Sequence, residues 1–154
     1  MSIPVIEAHD GLTDRARRCI GIVAEVWQTL NEHVDGLCLI GGWAVYALSE
    51  ASGVTGTPTL PHHRGSVDVD IALAWSELSE ITAGVVAERL RGSGYVEPTA
   101  PSFRWLRQHP GDTDPVEIDL MATHPPDHKG GAVVVGGYAW APFWNGEAAI
   151  GTAR

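Results

Sequence analysis

Residues 67–73 read Val-Asp-Val-Asp-Ile-Ala-Leu. Apolar and acidic residues alternate with period two before an apolar end, a pattern that predicts a strand. Side chains two apart on a strand leave from the same face, so Asp68 and Asp70 stand together, about 7 Å apart along the chain. Aspartate is depleted in strands. Two on one face ask for a reason beyond solubility.

Residues 116–121 read Val-Glu-Ile-Asp-Leu-Met and predict a second such strand. Asp119 is flanked there by Ile118 and Leu120, as Asp70 is by Val69 and Ile71. If the two strands are neighbours, Asp68, Asp70 and Asp119 converge. Carboxylates about 4 Å apart repel by roughly 4 kcal/mol per pair at an effective dielectric near 20, so three ionised groups need compensation. A divalent metal supplies it. An all-oxygen donor set favours Mg2+ or Mn2+, and Mg2+ is typically shared between carboxylates and substrate phosphates.

Upstream, residues 37–50 read LCLIGGWAVYALSE. The apolar run 37–40 predicts a central strand, and 43–51 resumes helical composition after Gly41 and Gly42. At such a junction the first backbone N–H groups and the positive end of the helix point outward. Without Cβ atoms, the glycines let a phosphate approach the main chain. Taken singly, a Gly-Gly pair is a turn and an Asp-x-Asp edge is a solvated face. In this order they describe a phosphate holder beside a metal holder.

The rest of the chain fits an α+β domain. Ala16, Cys19, Ile20, Val23, Val26, Trp27, Leu30 and Val34 fall on one helical face, with Thr13 or Asp14 as N-cap. Residues 52–66, rich in Gly, Pro, Ser and Thr, predict a loop. Ser76 is the expected N-cap of a helix to about Arg91 that presents Leu78, Ile81, Val85 and Leu90. Residues 103–107 and 116–121 predict strands joined by a hairpin-like connection, and Ala132 opens one further strand. The expected order is α-β-α-β-α-β-β, a mixed sheet packed with helices.

Composition narrows the function. The 154 residues are 44% hydrophobic and 19% charged, the balance of one soluble globular domain. Neither a membrane span nor a signal peptide is legible, so the expected compartment is the cytoplasm. Cys19 and Cys38 are expected as buried thiols rather than a disulfide. The net charge of −9, with Lys129 the single lysine, disfavours broad clamping of a nucleic-acid backbone. It suits divalent cations or cationic substrates. Arg104 and Arg107 are candidates to line the cleft or to sit on a solvated strand face. Arg15, Arg17 and Arg18 read as a solvated helix face before an RNA contact. His62 and His63 read as solvated, and Pro125 and Pro126 break the helix that would align His124 with His128. Trp27 and Trp43 are expected in the core, Trp140 and Trp144 on an exposed surface.

Taken together, LIGGWAVYAL, HRGSVDVDIAL and VEIDLMA resemble the nucleotidyltransferase superfamily that shares the fold of DNA polymerase β. The HRGSVDVD segment is most similar to the AbiEii-like type IV toxin branch. The resemblance spans about residues 37–122 and implies a single catalytic domain over 1–154; the C-terminal helical region usual in the family is a point of departure, expected of either a fragment or a minimal version. It implies nucleotide transfer from an NTP such as ATP to RNA, for instance a tRNA, or to a protein acceptor, by a toxin with an antitoxin partner. By role, it implies that Asp68, Asp70 and Asp119 hold two Mg2+ ions, that Gly41 and Gly42 cradle the β- and γ-phosphates, and that Arg64 and Ser66 reach the triphosphate. Antibiotic nucleotidyltransferases share GGWA and a T-x-P-H segment, here residues 59–62, but usually carry an acidic residue where this chain has Tyr46. They form the first alternative, and a non-catalytic nucleotide-binding module the second.

Overall fold

The computed structural model describes residues 14–32, 34–51, 68–123 and 128–143. Its elements run α1 (Asp14–Asn31), β1 (Leu37–Ile40), α2 (Gly41–Ala51), β2 (Asp68–Leu73), a 3-10 turn (Trp75–Glu77) and α3 (Glu80–Gly92). β3 (Arg104–Arg107), β4 (Val116–Thr123), β5 (Val133–Val135) and β6 (Tyr138–Phe143) follow. The protein is α+β, and its described residues form a mixed six-stranded sheet in the order β1-β2-β4-β6-β5. β3 pairs antiparallel with the first half of β4, and β6 pairs parallel with its end.

Alternation along the strands separates two faces. Val69, Ile71 and Leu73 of β2, Ile118, Leu120 and Ala122 of β4 and Trp105 of β3 are buried together with residues of α1 and α3. Asp68, Asp70, Glu117 and Asp119, at the intervening positions, point from the opposite face. α1 contributes Cys19, Ile22, Val23, Val26 and Leu30 to the core. Ion pairs join it to the β3–β4 hairpin: Arg107 Nη1 to Glu25 Oε1 at 2.6 Å, and Arg18 to Asp112. The solvated reading of Arg18 is thereby refined, since its charge is spent on the hairpin.

Several expectations are corrected. Among the described residues β1 stands at one end of the strand order and pairs only with β2, and each of its residues is half-buried. The N-cap of α3 is Ser79, whose Oγ accepts from Thr82 N at 3.1 Å, while Ser76 sits in the 3-10 turn. Leu78, extended between them, is what divides the two. Ile81 is 80% exposed, and the buried stripe of α3 is Ala83, Val86, Ala87 and Leu90. Alanines carry that face because they admit the neighbouring helix closely, which a search for large apolar residues overlooks. Ser79→Ala should destabilise the protein by about 1 kcal/mol, read from the urea midpoint, whereas Ser76→Ala should not.

The expected strand from Ala132 is a hairpin, folded at Gly136 and Gly137 with φ of 61° and 85°. Two successive positive-φ residues make the tight turn whose twist matches the flanking strands. Trp140 is fully buried, because its side chain turns to the core face of β6; Trp144 lies outside the described residues. Trp43 is buried and Trp27 half-buried. Cys19 and Cys38 form no disulfide; Cys19 is buried, Cys38 only half-buried on β1. No helix among the described residues is long and apolar enough to cross a membrane.

Candidate functional site

β2 and β4 are adjacent and parallel, with Asp68 opposite Glu117 and Asp70 opposite Asp119. Parallel neighbours lie about 4.8 Å apart, so four carboxylates occupy a two-by-two block on one face. Asp68, Asp70 and Asp119 are therefore brought together. Glu117 was missed, although it stands two residues before Asp119 as Asp68 stands two before Asp70, and the same period-two rule finds it.

The other edge of β4 adds the counter-charge. Arg104 is opposite Asp119 in the β3–β4 pairing. Its Nε donates to Asp119 Oδ1 and its Nη2 to Oδ2, both at 2.8 Å, while Nη1 lies 2.9 Å from Glu117 Oε2. The hydrogen bond to Asp119, ahead of all other causes, pushes the Arg104 guanidinium further up from its already high value. Arg107, three residues on, faces the other side and pairs with Glu25 while lying over the Tyr95 ring. Of the two candidate arginines, only Arg104 belongs to the site.

On the β1 side, Ile40 is opposite Asp70, which brings the start of α2 to the cluster. Gly41 has φ +66°, and a Cβ built on it would overlap Asp70 Oδ2. The positive end of α2 thus lies directly against a carboxylate of the cluster. Arg64, Ser66, His62, His63 and His124 lie outside the described residues. His128 Nε2 is 2.9 Å from Gly131 O, on the loop before β5.

Asp70 has its pKa raised to about 6, first by burial and then by the charges of Asp68 and Asp119, against a lowering by Arg104. The native protein thus binds this proton more tightly than the unfolded chain does. Between about pH 4 and pH 6 the Asp70 contribution to stability falls as pH rises, and above that it stays unfavourable. Solvent screening at a half-exposed group leaves on the order of 1 kcal/mol. In the presence of a chelator at pH 8, Asp70→Asn should therefore be more stable than wild type by that amount. The difference should vanish near pH 4, as urea midpoints across the range would show.

The donor chemistry suits a hard divalent cation, since four oxygen-bearing acids share one arginine. As they stand, no three acidic, histidine or cysteine side chains among the described residues are gathered closely enough to grip a metal ion. Arg104 instead holds both oxygens of Asp119. A cleft of about 650 Å³ lined by Thr29, Val85, Glu88, Arg89, Gly92 and Ser93 lies between α1 and α3 and shares no residue with the cluster. The register, rather than the volume of this cleft, identifies the candidate site. No protein-family model, curated protein or solved structure matches the chain.

Proposed function

We propose that this protein is a divalent-cation-dependent nucleotidyltransferase with a polymerase β-like catalytic domain. The observation that carries the reading is the juxtaposition of Asp70 and Asp119 across two parallel strands, with the glycine start of α2 against Asp70. Asp68, Asp70 and Asp119 would hold Mg2+, or Mn2+ in its place, as two ions. When bound, such an ion lowers the pKa of an attacking hydroxyl and offsets charge on a phosphoryl group. Gly41 and Gly42 would present backbone N–H groups to the β- and γ-phosphates. Arg64 and Ser66 join them on the resemblance alone. The hydroxyl of the acceptor attacks the α-phosphorus in line, and pyrophosphate leaves.

The acceptor in this reading is RNA, such as a tRNA, or a protein, and the biological role is a cytoplasmic toxin restrained by an antitoxin. The net charge of −9 favours a second acceptor class, a small cationic molecule such as an aminoglycoside. Incubation with each of the four labelled triphosphates, Mg2+ and separated RNA, protein and aminoglycoside acceptors should label one acceptor class. Label in none, with Asp68→Ala indistinguishable from wild type, would leave a nucleotide-binding module without turnover.

A further inference from the structure

We propose that Arg104 is a built-in counter-cation of the carboxylate cluster, displaced from Asp119 when a divalent ion binds and retained at the site by Glu117. This rests on the nucleotidyl-transfer reading only for the use to which the ion is put. Both oxygens of Asp119 are engaged by the Arg104 fork, through Nε and Nη2. A cation can take Asp119 as a ligand only if the fork releases at least one of them. The third contact, Nη1 to Glu117 Oε2 at 2.9 Å, does not depend on Asp119.

The surroundings permit such a movement. The Arg104 side chain is 41% exposed and that of Glu117 31%, against 13% for Asp119. The guanidinium therefore has solvent on one side, while the carboxylate is enclosed with the fork in place. Glu117 lies two residues before Asp119 on the same strand face, so a guanidinium that lets go of Asp119 remains tethered beside the cluster. There its planar donors are free to meet an anionic oxygen, the bidentate recognition for which arginine is suited. Glu117, which lies outside the expected metal set, thereby gains a role: it holds the arginine. Arg104 thus limits repulsion among the acids before the ion arrives and places positive charge beside the anionic substrate afterwards.

Titration calorimetry with Mn2+ alone tests this on wild type, Arg104→Gln, Arg104→Lys, Glu117→Gln and the double variant. Removing the competitor should tighten Mn2+ binding about tenfold in Arg104→Gln, with Arg104→Lys in between because it keeps the charge and loses the fork. Glu117→Gln should weaken binding in the wild-type background, and the effect should shrink at least threefold once Arg104 is glutamine, a coupling that a double-mutant cycle reads directly. If Arg104→Gln melts too readily for calorimetry, its melting temperature should rise further on adding Mn2+ than that of wild type. A brace that merely holds Asp119 in place predicts the reverse. Equal or weaker Mn2+ binding by Arg104→Gln, or the same Glu117→Gln effect in both backgrounds, would overturn the proposal. Tightened binding with no nucleotide transfer to any acceptor would uphold the role of Arg104 and remove the enzymatic reading.

Discussion

Replacing Gly41 by alanine is expected to lower stability by about 3 kcal/mol and to remove the proposed nucleotide transfer. Two causes add. At φ +66° an L side chain adopts left-handed backbone at a cost of roughly 1–2 kcal/mol. The new methyl group also has no room, since it would overlap the Asp70 carboxylate, and overpacking of this kind costs about 1–3 kcal/mol. Relief requires either that α2 draw away from β2 or that Asp70 turn aside, and both undo the register of acid and helix start. Gly84 supplies the control. A Cβ there meets nothing within 4 Å, and alanine in a helix gains up to about 1 kcal/mol over glycine, so Gly84→Ala should match or exceed wild type. Urea unfolding with labelled-nucleotide transfer on both variants measures the contrast.

The second large effect is expected at Asp119. Asp119→Asn keeps the shape of the side chain but removes its charge, and with it a ligand in the proposed site. Metal-assisted stabilisation of a transition state is worth several kcal/mol, so transfer should fall on the order of 10³-fold. The folding cost should be much smaller. Arg104 keeps Glu117 and has water on its exposed side, so the loss is nearer the roughly 1 kcal/mol of a surface pair than the several of a buried one. A steep fall in single-turnover rate with a nearly unchanged melting temperature is the signature. A parallel fall in both would instead mark Asp119 as a structural anchor for β3.

The alternation around Asp68, Asp70 and Asp119 gave both strands and the shared face, because period two leaves little choice of geometry. Sequence could not say that the two strands would be parallel neighbours aligned to place Asp70 opposite Asp119, since pairing depends on how helices cover the other face. Arg104 and Arg107 looked equivalent on a strand of uncertain phase, and only the pairing of Arg104 with Asp119 separates them. β1 looked central because half-burial by a helix selects the same apolar residues as burial within a sheet. The start of α3 was misplaced because two serines three residues apart are equally good caps by chemistry, and the extended Leu78 decides between them.

The parallel alignment of β2 with β4 has a consequence for how the chain reaches its fold. Away from the acids, β2 is Val, Ile, Ala and Leu and β4 is largely the same, with Met121 and a terminal Thr123, so the apolar residues would mesh almost equally well at several offsets. A slip of one residue turns one strand over, and would drive Asp68 and Asp70, or Glu117 and Asp119, into the apolar layer beneath α1 and α3. A buried, uncompensated carboxylate costs several kcal/mol, comparable with the whole stability of a domain. The acids proposed to gather an ion in the finished protein thus act earlier as the teeth of a ratchet, allowing two otherwise interchangeable strands to lock at one setting.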